Sequence, residues 1–361
     1  TPSSTASITP TVTATATCWV NLGKADFSTG QATLTSLYVY NGSAAYVGYS
    51  DATSKAVVVE YNGSSWVTVG SPDFSTELQN LSLSVDSSSG TPYLAYEDDN
   101  TALGYVYEDI SGTWTELGGA AFSTAGAGWP SLAIANGAPY VAFEDYNDSE
   151  HASVMAYSGG SWGYVGGEGF TSVVSAFTSL SVYNNSLYVA YEYGTGGGAG
   201  VMECSGCVTA SGSWTTVGTA EFYTKEATNL SLFVDSGSGT PYLAFEDYSN
   251  DEEAMVMKYT GSSWVTLGNA DFSAGIAANI SLFVYNGTPY VAYGDGNVGG
   301  NATVEECSGC SAGTGIWTDV CKADFSPGNA VNTSLFIYSG TPYVAFSDNA
   351  NSNKASVMYY P

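Results

Sequence analysis

The chain has 361 residues and a formal net charge of −28 at pH 7. The imbalance comes from a shortage of bases: there are 34 acidic residues against 6 basic ones, and all of the basic ones are lysines. Without arginine the chain cannot form bidentate guanidinium contacts with phosphate, which argues against nucleic acid and anionic membranes as partners. No apolar run is long enough to cross a bilayer, so membrane insertion is not expected. The absence of an initial Met and of a signal peptide is what we expect of a processed, secreted chain.

Residues 1–17 form an N-terminal arm that is rich in Thr, Ser and Pro. Threonine occupies every second position in its second half, which is the period of a β-strand. Two interpretations remain open: a flexible tail that carries O-linked glycans, or a donor strand that joins one subunit head-to-tail to the next and so generates a filament. The donor strand would use Thr9, Thr11, Val12, Thr13, Thr15 and Thr17.

A repeat of about fifty residues occupies the rest of the chain, 18–361. Seven tryptophans mark it, and a phenylalanine follows each of them after eight residues. The tryptophans are Trp19, Trp66, Trp114, Trp162, Trp214, Trp264 and Trp317, and the phenylalanines are Phe27, Phe74, Phe122, Phe170, Phe222, Phe272 and Phe325. Such a period indicates a repeat architecture rather than two or three separate domains.

Each repeat contains four short segments rich in Val, Tyr, Phe and Trp, separated by Gly, Asn, Asp and Pro, which is typical of antiparallel strands. Four strands in each of seven units predict an all-β, seven-bladed β-propeller of four-stranded antiparallel blades. The pattern begins with a Trp strand that has no unit before it and ends with a strand that has no Trp strand after it. We therefore expect the N-terminal Trp strand to complete the last blade and close the ring.

The motifs W-x-x-L-G-x-A-D-F-S and G-T-P-Y-V-A-F-x-D resemble secreted repeats of the kelch and galactose-oxidase-like propeller superfamily. The resemblance covers residues 18–361 and implies the propeller fold. The catalytic features of related propellers are missing, because the galactose-oxidase copper site requires paired histidines and His151 is the only histidine. Sialidases, which share the architecture, bind their substrate through three arginines, and this chain has none.

The six cysteines include two C-S-G-C pairs, each at the turn of a hairpin, and two further residues elsewhere. The pairs are Cys204 with Cys207 and Cys307 with Cys310, and the further residues are Cys18 and Cys321. Short-range disulfides are favoured over a zinc site, because the two pairs lie two repeats apart. Cys18 and Cys321 could bridge to each other or to a neighbouring chain.

Acidic residues recur at the end of the second strand of the repeat. An aspartate stands there in six units (Asp51, Asp98, Asp145, Asp247, Asp295, Asp348), and a glutamate precedes it in several (Glu97, Glu144, Glu192, Glu246). We interpret the aspartates mainly as caps of the following turn. A calcium site is the alternative, with Asp145, Asp148, Asp247 and Asp251 as the candidate ligands. No cofactor other than calcium is expected.

Ten N-x-S/T sequons predict N-glycosylation, at Asn41, Asn62, Asn80, Asn147, Asn184, Asn229, Asn279, Asn286, Asn301 and Asn332. Four of them share one repeat position, where the other three units carry Leu34, Trp129 and Phe177. We hypothesise that this position is exposed, with glycans on four blades and a contact patch formed by the three apolar residues.

These features together predict an extracellular, glycosylated, non-enzymatic propeller that assembles with itself into a fibre or surface layer. A lectin-like, carbohydrate-binding propeller is the alternative. A glycoside hydrolase with paired carboxylates ranks last, although the many acidic residues are compatible with it.

Overall fold

The computed structural model describes residues 18–42, 44–209, 211–310 and 314–361. The N-terminal arm lies outside these residues, so its role as donor strand or tail stays a prediction. Within the described residues the chain forms seven four-stranded antiparallel sheets and contains no α-helix. The predicted seven-bladed β-propeller is therefore confirmed.

Each blade begins with two long strands. The first strands of neighbouring blades contact one another around the ring, so they are the innermost: β2 (Ala32–Tyr40), β6 (Leu78–Val85), β10 (Ala127–Ala135), β14 (Ser179–Tyr183), β18 (Ala227–Val234), β22 (Ala277–Tyr285) and β26 (Ala330–Tyr338). The second strands follow: β3 (Ala44–Asp51), β7 (Pro92–Asp98), β11 (Ala138–Asp145), β15 (Ser186–Tyr193), β19 (Pro241–Asp247), β23 (Thr288–Asp295) and β27 (Thr341–Asp348).

The third and fourth strands of each blade lie outside these two. The third strands are β4 (Ala56–Tyr61), β8 (Gly104–Asp109), β12 (His151–Ser158), β16 (Gly198–Cys204), β20 (Glu253–Tyr259), β24 (Asn301–Glu306) and β28 (Lys354–Tyr359). The outermost are β5 (Trp66–Thr68), β9 (Trp114–Glu116), β13 (Ser161–Tyr164), β17 (Trp214–Thr216), β21 (Trp264–Thr266), β25 (Thr318–Asp319) and β1 (Val20–Asn21). Five single 3₁₀ turns lie between strands, at Leu117–Gly119, Tyr146–Asp148, Tyr248–Asn250, Gly296–Val298 and Asn349–Asn351.

Ring closure follows the prediction. Strand β1 pairs with β28, with Val20 opposite Tyr359, so the N-terminal strand supplies the outer edge of blade 7. A disulfide joins Cys18 to Cys321, which follows the outermost strand of blade 6. The other two disulfides, Cys204–Cys207 and Cys307–Cys310, confirm the short-range pairing.

The invariant spacing of Trp and Phe has a structural explanation. Each Phe packs on the Trp of the next blade, as Phe27 does on Trp66 at 4.1 Å between ring centroids and Phe325 does on Trp19 at the closure. Each indole also donates to a backbone carbonyl of the preceding blade, for example Trp66 to Leu22 at 2.8 Å. The motif therefore encodes the contact between blades, since buried indole N–H groups require a partner.

A second set of contacts runs around the axis. One serine on each innermost strand accepts a hydrogen bond from a backbone N–H of the innermost strand of the next blade. The donor is the leucine that directly follows the equivalent serine of that next strand. The hydrogen bond from Leu37 of blade 1 to Ser334 of blade 7 completes the circle. The seven serines are Ser36, Ser82, Ser131, Ser179, Ser231, Ser281 and Ser334. These hydroxyls satisfy backbone donors that no strand partner reaches.

Among the described residues, no helix has the length and hydropathy that crossing a membrane requires.

Candidate active site

The innermost strands begin, and the second strands end, on the same face of the ring. Ala127 at the start of β10, for instance, is opposite Asp145 at the end of β11. We call this side the loop face, because it carries the long links between blades and the loops after the second strands. The opposite face carries the hairpins that join the first strand of each blade to the second and the third to the fourth.

A cavity of about 240 Å³ opens at the centre of the loop face. Every blade contributes two consecutive residues to its lining, so the cavity lies on the ring axis, and we call it the axial mouth. Its lining residues are Leu34, Thr35, Asn80, Leu81, Trp129, Pro130, Phe177, Thr178, Asn229, Leu230, Asn279, Ile280, Asn332 and Thr333.

The axial mouth is built on a β-bulge. The register of the innermost strand shifts in six of the seven blades, as between Gly128 and Ser131 in blade 3. Six of the seven residues at this position have a positive φ, for example Asn229 at 50° and Trp129 at 53°. Asparagine tolerates this left-handed conformation better than most residues, which gives a structural reason for its recurrence here.

The structure thus places four sequon asparagines and the three apolar residues in one cavity. The four asparagines are half-buried. Their side chains are hydrogen-bonded: Asn332, for example, donates to Oδ1 of Asn279 at 3.3 Å and accepts from the backbone of Leu34 at 3.1 Å. A glycan on these amides would have to compete with such contacts. Glycosylation at the ten sequons, and self-association through Leu34, Trp129 and Phe177, stay predictions.

Four glutamates from consecutive blades, Glu97, Glu144, Glu192 and Glu246, are buried beside the axial mouth, each at most 6% exposed. Burial is the largest cause of the raised pKa of every one of them. The four differ in the hydrogen bonds that offset this effect.

The carboxylates of Glu97 and Glu246 each accept hydrogen bonds from two donors. Glu246 accepts from the amide of Asn229 at 2.9 Å and from the backbone N–H of Asn279, in the next blade, at 2.9 Å. Glu97 accepts from the side chains of Gln79 and Asn80 at 2.6 and 2.8 Å. In both blades the asparagine at the bulge is one of the donors. The second donor is the residue before that asparagine in blade 2, and the backbone of the next blade in blade 5. These carboxylates therefore hold the bulges in place.

Glu144 lacks the side-chain donors of the innermost strand. In blade 3 the two positions that carry Gln79 and Asn80 in blade 2 are occupied by Gly128 and Trp129. Gly128 has no side chain, and no hydrogen bond joins the indole of Trp129 to the carboxylate. A Cβ atom at Gly128 would lie 2.8 Å from Oε2 of Glu144. The donor that remains is the hydroxyl of Tyr146, which packs across Gly126.

The electrostatics of Glu144 follow from this arrangement. Burial, and then the negative charges of Glu150, Glu97 and Glu192, raise the pKa of Glu144 to about 7, while the Tyr146 hydroxyl lowers it. Its side chain therefore gains or loses a proton near neutral pH. Such a carboxyl group is suited to act as a general acid.

A second carboxylate stands close to Glu144. Glu150, on the loop after β11, is exposed and exerts the strongest of the three charges that act on Glu144. Its backbone is held in place, since its N–H donates to the carbonyl of Asp145 at 2.9 Å and its own carbonyl accepts from Ser175 at 2.8 Å. One buried and one exposed carboxyl group of blade 3 are thus close enough for the charge of one to raise the pKa of the other.

Two aromatic rings form one side of the axial mouth. Trp129 and Phe177 have ring centroids 4.3 Å apart and an interplanar angle of 39°, and Trp129 is 37% exposed. The amides of Asn229, Asn279 and Asn332 form the other side. An apolar side facing a polar side is the arrangement that ligand sites use to bind and orient a molecule.

The aspartates at the ends of the second strands are caps, as predicted. Asp145 accepts from the backbone of Asn147 at 3.0 Å and Asp247 from Ser249 at 3.1 Å, and the other four make the equivalent contact. Among the calcium candidates, Asp148 contacts His151 at 3.3 Å and Asp247 contacts Lys225 at 3.7 Å. Within the described part of the chain, no group of three or more metal-ligating side chains is arranged around one point.

No family model and no curated protein matches the chain. The chain is, however, similar in fold to several solved structures. An ulvan lyase of polysaccharide lyase family PL25, bound to a -[GlcA(1-4)Rha3S]- ligand, has a TM-score of 0.62 at 13% identity, with 94% of each chain covered. The polysaccharide lyase Uly1 has a TM-score of 0.59 at 10% identity, covering 92% of this chain and 89% of its own. The α-L-arabinofuranosidase arb93a of Fusarium graminearum has a TM-score of 0.51 at 10% identity, covering 95% and 97%.

These comparisons correct two expectations. At such low identity the likeness establishes the fold alone, and the structural neighbours reported above are polysaccharide lyases and an arabinofuranosidase, not kelch or galactose-oxidase proteins. The expectation of a non-enzymatic subunit of a fibre or surface layer is wrong, since these structural neighbours are enzymes, and one of them, the arabinofuranosidase, is a glycoside hydrolase, the class that ranked last from the sequence. The reason is physical: the sequence shows acidic residues but not which of them lacks partners after folding.

Proposed function

We propose that this protein is a secreted glycan-cleaving enzyme that hydrolyses an uncharged polysaccharide at the axial mouth. The observation that carries the proposal is Glu144, a buried carboxyl group that titrates near neutral pH beside an exposed aromatic pair. The three disulfides and the fold of polysaccharide-degrading enzymes support secretion and glycan cleavage.

The chemistry is hydrolysis by two carboxyl groups. Protonated Glu144 gives its proton to the glycosidic oxygen as the bond to the sugar carbon breaks. Glu150, as the carboxylate, takes a proton from the water molecule whose oxygen forms the new bond to that carbon. One water is consumed, and the two groups exchange protonation states, which solvent then restores. Unequal environments of two carboxyl groups are the usual basis of this division of roles.

The charge of the protein selects the substrate class. Lyases that act on uronic acids must neutralise a carboxylate, and the lining of the axial mouth contains no cationic residue. The ionised carboxylates near it, such as that of Glu150, would repel an anionic sugar. An uncharged polysaccharide therefore fits this site better than an acidic one such as ulvan.

The test is an activity screen of the purified protein. Arabinan, galactan, xylan and glucomannan serve as neutral substrates and ulvan as the acidic one. We expect new reducing ends from at least one neutral polysaccharide, without the ultraviolet absorbance of an unsaturated uronic product. Cleavage of ulvan alone, or of none of the five, would contradict the proposal.

Substitution then identifies the acid. Glu144→Gln should lower the rate by about 10²–10⁴-fold, the usual contribution of general acid–base catalysis. The matched control is Glu305→Gln: Glu305 is also buried, and its pKa is also raised to about 7 by burial, but it lies on the third strand of blade 6 beside Tyr293, away from the axial mouth. Equal losses in both variants would remove Glu144 from the mechanism.

A further inference from the structure

The shape of the axial mouth points to how a polysaccharide would enter it. The cavity is a depression that is open to solvent on the loop face, and each of the seven blades contributes to its perimeter. Adjacent blades are hydrogen-bonded to each other around this perimeter, as in the hydrogen bond from Thr178 to the carbonyl of Trp129 at 2.7 Å. A long chain cannot lie across such a cavity as it would in an open cleft.

The floor of the cavity is closed. It is formed by the residue after each bulge, and six of these seven are buried, for example Thr35 and Thr333 at 7% exposure each. Below the floor, rings from four adjacent blades touch in a row: Phe233 and Phe283 at 4.4 Å, Phe283 and Phe336 at 5.1 Å, and Phe336 and Tyr38 at 4.8 Å. A chain could not thread through the axis on that side.

The size of the cavity limits the ligand. Its volume of about 240 Å³ is below the ~300–1,000 Å³ of sites for drug-sized molecules, so it has room for one sugar ring rather than several. Trp129 and Phe177 offer an apolar surface on which the face of one ring can stack. The amides of Asn229, Asn279 and Asn332 lie opposite and can bond to hydroxyl groups of that ring.

We infer that the axial mouth takes a single terminal residue of an uncharged glycan, so that the enzyme works from a chain end. This inference rests on the proposed function. The bond between the terminal residue and the next one would then lie at the rim, where Glu144 contacts Tyr146 beside Gly128. The remainder of the glycan extends into solvent over the loop face.

The experiment measures binding and not turnover, so that it does not depend on activity. The full chain carrying Glu144→Gln is titrated by calorimetry with neutral hexasaccharides of arabinan, galactan, xylan and glucomannan. Each is used in two forms: with free ends, and with every hydroxyl of both terminal residues methylated. We expect at least one free-ended hexasaccharide to bind 10-fold or more tightly than its capped form, since a ring with methylated hydroxyls is too large and lacks donors.

Two further variants, made in the same Glu144→Gln background, locate the binding. Trp129→Ala should abolish it, whereas Ile110→Ala, at an exposed side chain on a hairpin of the opposite face, should leave it unchanged. Equal affinity for free and capped forms would overturn chain-end recognition and leave the proposed function standing. Binding by no hexasaccharide, together with cleavage of a neutral polysaccharide by the native protein, would also overturn only this inference. No binding and no cleavage would overturn both.

Discussion

Blades 3 and 5 are built from the same repeat and use it differently. In blade 5 the buried Glu246 is held by Asn229 and by the backbone of Asn279, and it ties one blade to the next. In blade 3 the equivalent Glu144 has lost the side-chain donors of its innermost strand, because Gly128 and Trp129 occupy their positions. The comparison indicates that the pKa of a buried carboxyl group rises further when its hydrogen-bond donors are removed and its burial is kept.

The largest expected difference between the two blades is in the pH dependence of stability. The pKa of Glu144 is raised in the folded state, from an ordinary 4.5 to about 7. Because the folded state favours the protonated form, the contribution of this group to the free energy of unfolding is fully present below pH ~4.5. It falls by on the order of 3 kcal/mol as the pH rises to ~7. Glu144→Gln should reduce this loss of stability with rising pH, and Glu246→Gln should reduce it less. Urea unfolding at a series of pH values measures the free energy of unfolding of both variants. Identical pH profiles would contradict the difference that we infer between blades 3 and 5.

Removal of the Glu246 and Glu144 side chains should lower the free energy of unfolding by different amounts. Glu246→Leu leaves the amide of Asn229 and the N–H of Asn279 without their acceptor, which should cost about 1–3 kcal/mol in the free energy of unfolding. Glu144→Leu removes a group that lacks the equivalent contacts and should be much less destabilising. Urea unfolding near neutral pH measures both. A greater loss for Glu144→Leu would show that the hydrogen bonds do not distinguish the blades.

Blade 3 can be made to resemble blade 5 by one substitution. Trp129→Asn returns an amide to the position from which Asn229 donates to Glu246, and should lower the pKa of Glu144 by about one unit, the worth of one hydrogen bond. Nuclear magnetic resonance of labelled glutamate carboxyl groups reports this pKa. Leu34→Asn is the control, because blade 1 carries Ser50 where the glutamate would be. An unchanged pKa in Trp129→Asn would mean that the missing amide is not what distinguishes Glu144.

The smallest effect concerns two tyrosines at equivalent positions. The hydroxyl of Tyr146 bonds to Glu144 and lowers its pKa, so Tyr146→Phe should raise that pKa by less than about one unit. Tyr248 in blade 5 is 52% exposed and is not among the causes of the shifted pKa of Glu246, so Tyr248→Phe should have no effect there. The same resonance titration measures both, and a shift in neither would remove Tyr146 from the site.

The fold was readable from the sequence because its determinants are periodic. The spacing from Trp66 to Phe74 recurs in every unit, since each pair makes the same contact with neighbouring blades. The two C-S-G-C disulfides were predictable for a similar reason, because their partners are close in sequence. The pairing of Cys18 with Cys321 was left open, since it depends on which strands the ring brings together.

The site was only partly readable. The recurrence of Asn at the position of Asn229 was visible, but sequons offered a simpler explanation than a left-handed backbone at a bulge. The glutamates were visible as a set, yet their differences depend on donors from another strand and another blade, such as Asn279 for Glu246. An exception in the repeat, Trp129 preceded by glycine, was the available signal.

The disulfide between Cys18 and Cys321 has a mechanical consequence. It links the N-terminal edge of blade 7 to blade 6, and 303 residues separate its two cysteines. The disulfide closes a covalent loop from Cys18 to Cys321 that contains β1 and blades 1 to 6, whereas the other three strands of blade 7 follow Cys321 and lie outside the loop. Tension applied at the two ends should therefore detach these three strands first, while the disulfide keeps β1 and blades 1 to 6 from being extended until it is reduced.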